Sequence, residues 1–146
     1  NFNLYGVGYE GKEKQNIKYY GALMPDELPF AMKGSFGLVW DGESANTCSG
    51  IFGEYLKINN PHKTSLYLAS GIPVVIWKKA ALAEFVRKNN CGIVVDSIED
   101  INQMKDLINE NDYLEMKRNV MKISKQLRSG YYLLNAVKKI MKCEEN

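Results

Sequence analysis

The chain has 146 residues, 45% of them hydrophobic and 25% charged, with a net charge of +2. That length fits one domain with a buried core, and the near-balance of charge leaves no electrostatic case for nucleic acid as a partner. No apolar run approaches the ~20 residues that span a bilayer and no signal peptide is visible, while three widely separated cysteines, Cys48, Cys91 and Cys143, fit a reducing compartment and no disulfide framework.

Residues 3–8 read as a short strand ending in a Gly-X-Gly turn, and 11–16 as polar loop. A second strand covers 17–20 and is closed by Gly21. Pro25 opens a short helix with Asp26 and Glu27 in its first turn, where the helix dipole favours acids. The run 36–40 is a continuous apolar strand of the kind buried on both faces. Residues 41–59 read as a long loop with Gly42, Gly50 and Gly53 among polar residues, and a loop of that length is usually functional. Asn60 and Pro61 then predict a helix start, with Asn60 as N-cap and Pro61 as first helical residue, running to Ser70. Gly71 to Pro73 is a turn, 74–77 another continuous apolar strand, 81–90 a helix, and 92–95 the last strand. Ser97 caps a helix at 98–109, and two more helices fill 111–126 and 130–142. Positions 104, 107, 108, 116, 120 and 131–134 read as core stripes, and the charged tail 138–146 is expected to fray.

Short apolar strands alternating with helices predict an α/β fold, a Rossmann-like parallel sheet with helices on both faces. Ligands of such sheets bind beyond the carboxyl ends of the strands. Gly8, Gly21, Asp41 and the Lys78-Lys79 pair all follow strand ends, and the helix after Asn60 starts on the same edge. That helix puts Lys63 in its first turn, against a dipole end carrying about half a positive charge, at a cost of about 0.3–1 kcal/mol. A cation placed there makes sense when an anion shares both, so His62, Lys63, Thr64 and Ser65 form a candidate phosphate site. His62 is the sole histidine, which rules out a multi-histidine metal centre.

The order Trp40-Asp41-Gly42, Asn60-Pro61-His62-Lys63, Ala69-Ser70-Gly71-Ile72-Pro73-Val74-Val75 and Cys91-Gly92-Ile93-Val94-Val95-Asp96 resembles the C-terminal, donor-binding half of a GT-B glycosyltransferase. Within that class it is similar to the Gtf3-like glucosyltransferases that extend GlcNAc on serine-rich adhesins and to their galactofuranosyltransferase relatives. The likeness covers residues 3–142. It implies a donor-binding domain spanning 1–146, with a separate N-terminal acceptor domain absent. The chain opens without methionine on a strand-like run and reads as a fragment or excised domain.

The resemblance implies a UDP-hexose donor, glucose or galactofuranose being the expected sugar, and a glycan or glycoprotein acceptor. Tyr20, Gly21, Leu23 and Met24 would border the base and ribose. The pyrophosphate would rest on the helix after Asn60, held by Lys63 with His62, Thr64 and Ser65. Asp41 and Gly42 would border the cleft, and Lys78, Lys79 and Ala80 would approach the phosphates or the sugar. No cofactor beyond the UDP-sugar substrate and no metal site is expected, in line with the absence of a DxD motif. No catalytic residue is assigned, and the isolated chain is expected to be inactive in transfer. The resemblance implies a cytoplasmic location, with peripheral membrane attachment and a homo-oligomeric state left open. Two features depart from the wider class: Ile58 and Leu66 occupy the positions of a common glutamate pair, and a donor-contacting basic residue would precede Asn1. A non-catalytic α/β binding module and a nucleotide-sugar epimerase of the same fold remain as alternatives.

Overall fold

The computed structural model describes residues 1–11 and 15–144, apart from the side chains of 104–107 and 143–144. The expected core side chains at 104 and 107 lie outside the described residues, as do 12–14 of the expected polar loop and 145–146 of the tail.

Strand β1 (Phe2–Leu4) pairs in parallel with β2 (Ile17–Tyr19), Phe2 opposite Ile17 and Leu4 opposite Tyr19. The first strand is shorter than the expected 3–8 because Gly6 and Gly8 take φ of +128° and +82°, which breaks an extended ladder. Tyr19 and Tyr20 are both half-buried, and Tyr20 stacks on Tyr5 with ring centroids 4.9 Å apart. Helix α1 (Leu28–Ala31) is a single turn after Pro25.

The central sheet comprises β3 (Gly37–Val39), β4 (Val74–Trp77) and β5 (Gly92–Val95), all parallel, in the order β3-β4-β5. Gly37 pairs with Val74 and Val74 with Gly92. Every residue of β4 is buried, as its unbroken apolar run requires. The β1–β2 pair is not hydrogen-bonded to this sheet. Helices flank the parallel strands, and the architecture is an open, Rossmann-like α/β fold.

Between β3 and β4 lie α2 (Gly50–Leu56) and α3 (His62–Ala69). The first of these corrects the expected 41–59 loop. Leu56 is its only large buried side chain, while Ile51, Phe52 and Tyr55 face solvent, so no amphipathic stripe announces it. α3 starts one residue later than expected: Pro61 has ψ of 132°, outside the helical region, so it takes the N-cap position and His62 is the first helical residue. Asn60 therefore precedes the cap and does not supply it.

Helix α4 (Ala83–Lys88) crosses from β4 to β5. α5 (Asp100–Leu107) is shorter than the expected 98–109, and Ser97 closes the turn that leads into it: its Oγ accepts from Asp100 N at 3.3 Å, and the Asp100 carboxylate accepts from Ser97 N at 2.9 Å. That backbone hydrogen bond holds the Asp100 carboxyl below its usual range. α6 (Glu110–Arg128) opens with a full capping box between Asn109 and Asp112. It lies along α3, where Ser124 Oγ donates to Ala69 O at 2.6 Å and Lys117 Nζ to Gly71 O at 2.5 Å. The core joins Val39, Leu56, Leu68, Val74, Ile76, Val86, Val120 and Ile123 across these elements. Met116 and Val120 are buried as expected.

α7 (Tyr131–Glu144) overturns the expected core stripe at 131–134. Leu133 is 70% exposed and Leu134 55%, and the stripe touches the body of the fold where Tyr132 meets Phe85 edge-on at 6.2 Å. Helical periodicity marks which face is apolar; it does not supply the layer that would cover it. Among the described residues no helix is long and apolar enough to cross a membrane.

The contact between β3 and α3 has no slack. A Cβ on Gly37 would lie only 2.2 Å from Tyr67 Cγ. Gly37→Ala should therefore lower stability by about 1–3 kcal/mol, an overpacking cost, measurable by urea unfolding with an unchanged m-value.

Candidate functional site

The parallel order of β3, β4 and β5 brings three strand ends to one edge: Trp40 and Asp41 after β3, Lys78 after β4, Asp96 after β5. The start of α3 lies on that edge too. Lys63, in its first turn, donates from Nζ to Asp41 Oδ1 at 2.6 Å and to Trp40 O at 3.3 Å. Their side chains are 39% and 28% exposed, so the pair stands at the surface of the edge and not inside the core. No acidic residue and no side-chain cap occupies the first turn of α3. The positive end of the helix dipole and the ammonium together favour an anion.

Asp41 is held by its own loop. Its N–H donates to Cys48 Sγ at 3.4 Å, and its carbonyl accepts from Ser49 N at 3.3 Å, so segment 41–49 closes on itself. Gly42 makes the closure feasible with φ of +115°, and a Cβ there would lie 2.5 Å from Ser49 N. Trp40 Nε1 donates to Ser44 O at 2.9 Å, and Ile98 N to Ala45 O at 2.8 Å, tying the loop to the end of β5. Burial pushes the Cys48 thiol up, against the lowering effect of the Asp41 N–H that it accepts; the Asp41 carboxylate adds to the rise and Lys63 opposes it. Burial also pushes Cys91 up, to about 11. Both thiols should resist iodoacetamide at pH 8 in the folded protein and react after unfolding, which peptide mass mapping would read.

Lys78 pairs with Asp96 at 2.9 Å across the ends of β4 and β5, in an exposed ion pair of small energetic weight. Lys79 Nζ lies 5.8 Å from the Trp77 ring centroid, as does Lys57 Nζ. Ala80 is buried, with its N–H turned to Trp77 O, and Ala81 N donates to Leu56 O, which fixes the end of α2 against this loop.

The remaining candidates divide. His62 and Asn60 are exposed beside the α3 start, and Ser65 is half-buried. Thr64 is 1% exposed, and its Oγ1 has no hydrogen-bond partner among the described residues, so its hydroxyl faces the interior. Residues 20–24 follow β2: Gly21 has φ of +72° and its carbonyl accepts from Gly6 N, Leu23 and Met24 are exposed, and Lys18 Nζ lies 5.1 Å from the Tyr20 ring. Among the described residues no hydrogen bond or ring contact joins this group to Lys63. The structure thus brings Lys63 to Asp41, and Lys78 to Asp96. The Lys63 contacts with Asp41 and Trp40 and the Lys78–Asp96 pair join residues 18 to 23 positions apart, which no local sequence pattern encodes, and the Cys48–Ser49 clamp on Asp41 has no turn signature of its own. Among the described residues no three His, Cys, Asp or Glu side chains converge as a metal-ion cage.

Known proteins give this geometry its context. The chain is 43% identical over 143 residues to the β-1,6-galactofuranosyltransferase WbbI of Escherichia coli K12, covering 96% of this chain and 42% of that protein. It is 34% identical to glucosyltransferase 3 of Streptococcus gordonii over 90% of this chain and 40% of that protein. With glucosyltransferase 3 of Streptococcus parasanguinis it shares 31% identity over 81% of this chain and 34% of that protein. The chain therefore spans roughly two fifths of the length of the curated relatives it matches. Residues 1–140 match the family described as glucosyltransferase 3-like, C-terminal domain, and the chain belongs to that family.

Proposed function

We propose that this chain is the donor-binding domain of a hexosyltransferase that uses a UDP-sugar and transfers glucose or galactofuranose to a glycan or glycoprotein acceptor. The observation that carries the reading is Lys63 in the uncapped first turn of α3, on the carboxyl edge of the sheet. The names of the relatives, galactofuranosyltransferase and glucosyltransferase, support the sugar class.

In a glycosyl transfer the UDP leaves with growing negative charge. Donors fixed in advance toward that charge lower the barrier more than mobile ones. Lys63 and the α3 amides would meet the diphosphate, with His62, Asn60 and Ser65 beside them. Residues 20–24 would border the base and ribose, and Lys78 and Lys79 would approach from the β4 end. Asp41 and Gly42 would border the cleft. The acceptor and any general base belong to a further domain in this reading, so the chain by itself binds donor and transfers nothing.

Calorimetric titration with UDP, with ADP and GDP as controls, tests this. UDP binding tenfold or more above both controls is expected. Equal binding of all three would leave an anion site without uracil recognition, and no binding of any would sink the reading.

A further inference from the structure

Lys63 does not stand alone at the mouth of α3. Its ammonium has three donors. Asp41 Oδ1 takes one at 2.6 Å and the Trp40 carbonyl another at 3.3 Å, which leaves one for an incoming oxygen. The two partners differ in stiffness. Lys63 reaches out on a flexible four-carbon stem, whereas Asp41 is clamped at both its N–H and its carbonyl by Cys48 and Ser49 and followed by a glycine with no room for a side chain. The short Asp41 side chain on this clamped backbone therefore restricts where the ammonium sits. It also cancels the charge of the lysine, so an arriving diphosphate meets a neutral pair and the α3 amides in place of a bare cation.

We propose that Asp41 is a positioning residue for Lys63: it holds the ammonium in place for the leaving diphosphate and, by its negative charge, weakens the grip on the nucleotide once transfer is complete. This deepens the donor-site reading and rests on it. The role differs from a direct contact with donor hydroxyls, because Asp41 acts through the lysine and its electrostatic effect on a diphosphate is repulsive. The pair is partly exposed, so an anion reaches the ammonium without unfolding the loop.

The test is titration of the full chain with UDP in four forms: wild type, Asp41→Asn, Asp41→Ala and Lys63→Ala, each checked for fold by circular dichroism. Asp41→Asn keeps an acceptor oxygen toward the ammonium and removes the charge. It should bind UDP about tenfold tighter than wild type, the size expected for removing one partly screened like charge several ångströms from the ligand. Its affinity should also fall more steeply with salt. Asp41→Ala loses the tether as well and should bind about threefold or more weaker than Asp41→Asn, the loss of one charge-assisted hydrogen bond that orders the lysine. Weaker binding by Asp41→Asn than by wild type would mean direct donor contact and overturn the proposal. Unchanged binding would overturn it too, and equal affinities for the two Asp41 variants would remove the positioning role. Failure of the donor-site reading looks different: Lys63→Ala then binds UDP as wild type does, or wild type does not bind, and the Asp41 role falls with it.

Discussion

Lys63→Ala should weaken UDP binding by tenfold to a hundredfold while leaving the fold intact. A hydrogen bond between an ammonium and a phosphate oxygen contributes about 1.5–3 kcal/mol, because one partner is charged and the other is partly desolvated. Each 1.4 kcal/mol is about a tenfold change in affinity. The loss should be largest at low salt and shrink as ionic strength rises, since the removed term is electrostatic. The fold survives because Asp41, left without its partner, keeps access to water and its backbone clamp to Cys48 and Ser49. Stability should change by less than about 1 kcal/mol, the ordinary range for a surface ion pair. Lys125→Ala, on the exposed side of α6, removes the same charge at a distance and serves as the control. Equal effects from the two variants would mean that general charge, and not the α3 start, governs binding.

Leu56→Ala should cost about 2–5 kcal/mol in unfolding free energy, the range for truncating a fully buried leucine. Leu56 is 1% exposed and is the one large side chain by which α2 joins the core. Its carbonyl also accepts from Ala81, so α2 and the loop after β4 are fixed to each other at this residue. Loss of the side chain should therefore loosen both edges of the candidate site. Hydrogen exchange should quicken in α2 and in residues 78–82 more than in α6. Phe52→Ala, at a position 72% exposed in the same helix, should change stability by no more than about 0.5 kcal/mol. A similar cost for both variants would show that something covers the outer face of α2.

How far the amino-acid order reveals this molecule depends on what each element needs. β4 was legible because four consecutive apolar residues can be satisfied by burial on both faces, and all four are buried. The start of α6 was misplaced by one residue although its capping pair, Asn109 and Asp112, is local and reciprocal. α2 stayed hidden because its solvent face is as apolar as its core face, so no periodic contrast exists to read. α7 shows the converse: its stripe was visible, yet burial depends on a neighbour that sequence periodicity does not specify. At the candidate site, Lys63 was legible as a cation against a helix dipole. Its pairing with Asp41 was not, because that contact joins the residue after β3 to the first turn of α3, 22 residues further on. Thr64 lies one turn before the buried Leu68, on the same face of α3, which turns its hydroxyl inward.

The order of the central sheet has a kinetic consequence. β4 is the middle strand, and it meets β5 across the short α4 connection but β3 across the much longer stretch that contains the 41–49 loop, α2 and α3. Loop closure is cheaper for the shorter connection, and non-local parallel pairing is slow. The β4-α4-β5 unit should therefore assemble early, with β3 docking afterwards. Because Asp41 follows β3 and Lys63 precedes β4, their ion pair forms only when that last strand arrives. The candidate site would then be the final part of the molecule to fold and the first to open.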